Sequence, residues 1–176
     1  MLKNLFRSRT VERPGLALYA NAVDQARQPA FYTALGVSDE IDARFELYTL
    51  HVLLLILRLR DEPGERGAEA AQDLFDVYVS ALDNVLRELG VHDVSIAKKM
   101  RKLGEALYGR MTAYEGPVRS GDVAALETSL ARNVYESEEA GRAVALAAYA
   151  LAARAMLATQ NIETILSQPL WPEVAE

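Results

Sequence analysis

No cysteine occurs in these 176 residues. Disulfides, thiolate metal sites and cysteine nucleophiles are therefore excluded, and a reducing, cytoplasm-like compartment fits. Histidine is nearly as scarce, with only His51 and His92. Neither follows a Glu at the Glu-x-x-His spacing of dinuclear helical bundles. A Gly-rich phosphate loop and a Gly-x-Ser-x-Gly elbow are also missing. Glu115, Glu136, Glu138 and Glu139 fit helix caps and surface better than a catalytic pair. The expectation is a non-enzymatic protein with no catalytic residues, no metal site and no cofactor. Long apolar runs are lacking too. Leu47 to Leu57 is uncharged for eleven residues, with Thr49 and His51 inside it, whereas a bilayer-crossing helix needs roughly 20 apolar residues. Met1 to Arg13 has no apolar stretch of the kind that marks a secretory signal. Period-two alternation is absent throughout, which argues against strands.

What is present is helical pattern. Hydrophobic residues make up 51% of the chain, and the length suits one core. The expected fold is all-α, a single compact domain of about six main helices around a buried central one, spanning residues 14–176 behind a basic tail at 1–13. Pro14 starts a helix over Gly15–Arg27, and Pro29 ends it; a short turn over Ala30–Leu35 closes at Gly36. Ser38 is the expected cap of the second long helix, with Asp39, Glu40 and Asp42 near the positive end of its dipole. Two apolar stripes run along this helix: Ile41, Phe45, Tyr48, Val52, Leu55 and Leu59, and Leu47, Leu50, Leu54 and Leu57. A helix apolar on two sides packs on several neighbours, so this one is central, and His51 within it reads as a core histidine rather than a ligand. Further helices are expected over Gly67–Leu89, from a Ser95 cap to Tyr114, over Val123–Tyr135 behind an Asp122 cap, and behind a Ser137 cap. The last is Ala-rich and belongs against the central helix. Gly116-Pro117 interrupts or bends its helix, and Ile162–Leu166 is a short helical tail.

The charge is uneven. The chain carries net charge −6, yet residues 98–110 hold Lys98, Lys99, Arg101, Lys102 and Arg110 against Glu105, a local +4. On a helix, Ile96, Met100, Leu103, Leu107, Met111 and Tyr114 lie within about 40° of one direction. Lys98 and Lys102 point the opposite way, Lys99 and Arg101 flank them, and Arg110 sits nearer the apolar edge. A positive island on an acidic protein is a candidate docking surface for an anionic partner, although such a face is also common as a merely solvated one. Tyr108 can stack or hydrogen-bond beside it, and Tyr108 and Arg110 can equally fix helix packing. Gly104 and Gly109 each cost a helix roughly 1 kcal/mol relative to Ala, which points to close backbone contact there.

The segment from Asp93 through Ile96-Ala-Lys-Lys-Met-Arg-Lys-Leu103, followed by Ala106-Leu-Tyr-Gly-Arg110 and Ala113-Tyr114, resembles the signature of the ubiquinol–cytochrome c chaperone family. Arg44-Phe45 through His51 looks like the family's other recognisable block, and Gln72–Asp76 and Leu86–Gly90 are similar too; the likeness covers Ile41 to Tyr114. The resemblance implies an all-helical, non-enzymatic assembly factor of the cytochrome bc1 complex. Its partners would be nascent cytochrome b or another hydrophobic client, a small partner protein, and the ribosome near its tunnel exit, with no DNA. Lacking an evident presequence, the chain looks like a bacterial member, cytoplasmic and peripheral at the inner membrane. The expected partner-binding residues are Lys98, Lys99, Arg101, Lys102, Tyr108 and Arg110. Three other readings stand beside this one. Leu2, Leu5 and Phe6 among Lys3, Arg7, Arg9 and Arg13 suit either a basic tail or an interfacial anchor on anionic lipid, which would make the chain a peripheral membrane or lipid-interacting protein. A small-ligand or enzyme role around His51 and the tyrosines, and a homo-oligomeric scaffold, complete the set.

Overall fold

The computed structural model describes residues 13–88 and 93–174, with side chains over 13–85 and 104–174. The order is α1 (Gly15–Ala26), α2 (Pro29–Thr33), α3 (Ile41–Arg60), α4 (Glu65–Glu88), α5 (Asp93–Ser120), α6 (Val123–Val134), a 3₁₀ turn (Ala140–Ala143), α7 (Val144–Thr159) and α8 (Ile162–Ser167). No strand occurs among the described residues. Among the described residues, six long helices and two short ones match the pattern in the sequence.

The central helix is α3. Every residue from Thr49 to Leu59 is buried, because α1, α4, α5, α6 and α7 all pack around it. Its outer end departs from the expected stripe, since Ile41 is 69% exposed. The Ala-rich α7 lies against α3 through Ala147, Ala150, Ala153 and Leu157, all fully buried. Residues 140–159 are long and apolar enough for a bilayer span by length and composition, which the run over Leu47–Leu57 did not suggest. Within the fold, α7 is instead pinned to the core by a buried polar bond. The Tyr149 hydroxyl lies 2.9 Å from His51 Nε2, and His51 Nδ1 lies 2.8 Å from the Leu47 carbonyl. Gln25 donates to the Tyr149 hydroxyl at 3.0 Å. The consistent arrangement is a neutral imidazole donating from Nδ1 and accepting at Nε2. Burial pushes the His51 pKa down to about 4, against a small upward pull from the Leu47 carbonyl. His51 is thus the core histidine expected; His92 lies outside the described residues. Phe31, Tyr149 and Trp171 ring the imidazole, and Trp171 donates to Asn21 Oδ1 at 2.7 Å. The C-terminal segment is thereby strapped across α1.

Four features of the boundaries differ from expectation. Glu40, not Ser38, occupies the cap position of α3 and makes no side-chain cap bond. The helix behind Ser137 starts late: the Ser137 hydroxyl accepts only from Glu139 N, a 3₁₀ turn intervenes, and α7 begins at Val144. Ser95 lies inside α5, which starts at Asp93, and Pro117 does not interrupt that helix. Pro117 forgoes one backbone bond and crowds the preceding turn, but Val118 behind it is buried, and packing carries α5 on to Ser120. The stop comes at Gly121, in the left-handed region at φ 71°. Asp122 then caps α6 by accepting from Ala125 N at 3.0 Å, as expected.

The start of α4 rests on the end of α3. A Cβ at Gly67 would lie 2.2 Å from the Leu59 carbonyl oxygen. Gly→Ala inside a helix ordinarily gains about 1 kcal/mol. Gly67→Ala should instead cost about 1–3 kcal/mol, the usual cost of overpacking, seen as a lowered Tm.

Candidate functional site

The candidate site is built on α5. Residues 93–120 form one helix, so the backbone positions of Lys98, Lys99, Arg101 and Lys102 share it with Tyr108 and Arg110. The side chains of those four cations lie outside the described residues, as do those of Ile96, Met100 and Leu103. The rest of the expected inner stripe is in place: Leu107 and Tyr114 are buried and Met111 packs half-buried on the core. Val118 extends the stripe by one turn.

Tyr108 and Arg110 part company. Tyr108 is 76% exposed. Arg110 turns inward, and its Nε donates at 2.7 Å to Oε1 of Glu46 on α3. The Tyr114 hydroxyl donates to Oε2 of the same carboxylate at 3.2 Å. Glu46 is only 3% exposed. Burial pushes its pKa up, and the bonds from Arg110 and Tyr114 offset only part of that. Arg110 therefore compensates a buried anion, which explains a cation near the apolar edge of the stripe. Glu46 gave no signal in sequence beyond an acid among apolar neighbours.

Tyr108 stands at the lip of a groove of about 830 Å³ between α4 and α5. Ile56, Ala71, Phe75 and Met111 give it an apolar lining, Ala68 and Thr112 line it as exposed residues, and Arg60 and Glu115, 4.0 Å apart, lie on it. Gly104 and Gly109, expected to mark a close backbone contact, serve none among the described residues, and neither does Gly116. A Cβ added at Gly104, Gly109 or Gly116 would meet nothing within 4 Å among the described residues. The groove escaped sequence reasoning because its walls are short residues of α4 that carry no motif. Ala68, Ala71 and Phe75 fall at i, i+3 and i+7, an ordinary amphipathic spacing.

No group of three or more His, Asp or Glu with metal-holding geometry occurs among the described residues. Arg58 is buried but spent: it donates to the Leu157 and Gln160 carbonyls at 3.1 and 2.8 Å and to Glu62 at 2.8 Å. It thus satisfies the C-terminal end of α7, where a cation suits the helix dipole.

The family model described as ubiquinol-cytochrome C chaperone matches residues 33–171. The chain belongs to the ubiquinol–cytochrome c chaperone family. The match runs from the end of α2 to Trp171, well beyond the stretch of likeness legible by eye. Among solved structures, the Cbp3 homolog from Brucella abortus superposes with a TM-score of 0.81 at 33% identity, over 93% of this chain and 91% of that one. No curated protein matches significantly. Membership in this chaperone family gives the coarse function, a chaperone or assembly role toward the bc1 complex with a client protein as partner. It also implies a non-enzymatic role.

Proposed function

We propose that this chaperone holds newly made cytochrome b by an apolar segment seated in the α4–α5 groove, while the cationic run at Lys98, Lys99, Arg101 and Lys102 engages an anionic partner. The observation that carries this reading is one helix, α5, bearing both features: the run of cations in its first turns and the open groove from Tyr108 onward. Helix-interior glycines that serve no contact among the described residues support it further, because small residues let a second helix approach closely. The favoured anionic partner is ribosomal RNA at the tunnel exit, met as the client emerges; a small partner protein would share the exposed surface. The setting is the cytoplasm, peripheral to the inner membrane.

The test separates the two surfaces. Ala68→Arg with Thr112→Arg fills the groove from exposed positions and leaves the core intact. Client capture from a translating extract should fall at least about tenfold, the equivalent of 1.4 kcal/mol, with ribosome binding retained. Reversing Lys98, Lys99, Arg101 and Lys102 to Glu should abolish ribosome binding with helicity unchanged. Client and ribosome capture unaffected by both variants would refute the reading.

The membrane reading keeps one specific support. The outer side of α7 exposes Val144 (49%) and Met156 (36%) within the apolar run 140–159. Strong, salt-sensitive flotation of the client-free chain with anionic vesicles would favour it.

A further inference from the structure

A second groove, of about 800 Å³, lies on the other flank of α4, between α1 and α8. Ala17, Ala70 and Leu166 line it with apolar surface, and Glu69, Asp73, Asp76 and Glu163 line it with carboxylates. Three of these acids already accept bonds. Arg66 pairs with Glu163, Asp73 accepts from Gly15 N at 2.8 Å, and Asp76 accepts from Gln72 Nε2 at 2.8 Å. Glu69 and Asp76 are exposed, and no cation among the described residues pairs with either. This groove takes no part in the client reading above.

We propose that this groove is the docking site of the chain's own residues 1–12. Three observations single out that occupant. First, the point of attachment is at the rim: Arg13 and Pro14, which directly follow that segment, line the groove, and Arg13 Nε lies 4.0 Å from Asp73 Oδ1. Second, the chemistry is complementary. Lys3, Arg7 and Arg9 against Glu12 make the segment cationic, and Leu2, Leu5 and Phe6 alternate with those charges. Third, the length suffices. Twelve residues reach up to about 40 Å, whereas the α4 wall from Arg66 to Asp76 extends about 15 Å at the helical rise. A tethered occupant also acts at a millimolar-scale effective concentration, so it outcompetes a free basic peptide. The cations that would otherwise meet anionic lipid are thereby held on α4, and groove and membrane compete for the same side chains.

The absence of cysteine makes the test clean, because Leu5→Cys accepts one nitroxide label in the full-length chain. At low salt its spectrum should be broad and independent of protein concentration. Glu69→Lys with Asp76→Lys, both at exposed positions, should sharpen it with Tm nearly unchanged. In the same double variant of the unlabelled chain, trypsin cleavage after Lys3, Arg7 and Arg9 should quicken about tenfold, since cleavage tracks the open population. Binding to phosphatidylglycerol vesicles should rise several-fold. A sharp spectrum in the parent, or a broad one that the double variant leaves unchanged, overturns the proposal. A broad spectrum that sharpens on dilution assigns the groove to the segment of a second copy and overturns it equally.

Discussion

Arg110→Ala should destabilise the fold by about 3 kcal/mol at neutral pH, the lower end of what breaking a buried ion pair costs. The removed guanidinium is partly hydrated, its side chain 33% exposed, but the carboxylate it abandons is not, at 4%. Glu46 would keep only the Tyr114 hydroxyl, and its pKa, already raised by burial, would climb further. The sign of the pH dependence follows. An unfolded Glu ionises near its ordinary value of 4.5, and the folded one holds its proton to higher pH. Between those values Glu46 binds its proton more fully in the folded chain, so its own contribution is full at low pH and is lost as pH rises through the folded pKa. The defect in Arg110→Ala should therefore be small in acid and grow toward pH 7, as denaturant titration across pH will read. Glu46→Gln in the same chain should restore much of the loss, a coupling that a double-mutant cycle isolates. A pH-independent Tm with lost partner binding would instead make Arg110 a docking residue.

The second large effect belongs to His51. Its unfolded pKa is near 6.5 and its folded value about 4. In acid the unfolded chain takes up a proton that the buried imidazole refuses. The contribution is whole above pH 6.5 and fades as pH falls toward 4, amounting to about 3 kcal/mol at 1.36 kcal/mol per pKa unit. Asp61, where burial is outweighed by bonds from Arg119 and Arg154, and Glu163, bonded to Arg66, both have lowered pKa values and add their losses only as the carboxylates protonate below the ordinary 3.8 and 4.5. The two windows are therefore separable. In His51→Leu the decline between pH 6.5 and 4 should flatten while the steeper fall below it remains. An unchanged profile would mean that the imidazole protonates in place.

The architecture was legible because its signals are local. Gly36 and Asp122 sit where the helices of the fold end or begin, and the double apolar stripe on α3 announced a helix enclosed on several sides. What misled were features that tertiary packing overrides. Ser38, Ser95 and Ser137 all look like caps, yet packing sets the starts of α3, α5 and α7 elsewhere. Pro117 looks like a breaker, yet its neighbours hold the helix through it. The site was legible only along one helix. The basic run and Tyr108 stand out in sequence, whereas the groove needs α4 beside α5, and the partner of Arg110 is 64 residues away. Spacing along a single segment cannot reveal either one.

The strap formed by the C-terminal residues has an optical consequence. Trp171 is the one tryptophan of the chain, with its ring centroid 5.1 Å from that of His51. Ultraviolet emission thus arises at a single known spot, beside a group that quenches indole when charged. Lifting of that end off α1 would register as a colour shift, and proton entry to the interior as dimming, so the molecule carries a built-in gauge that tells peeling from melting without any added dye.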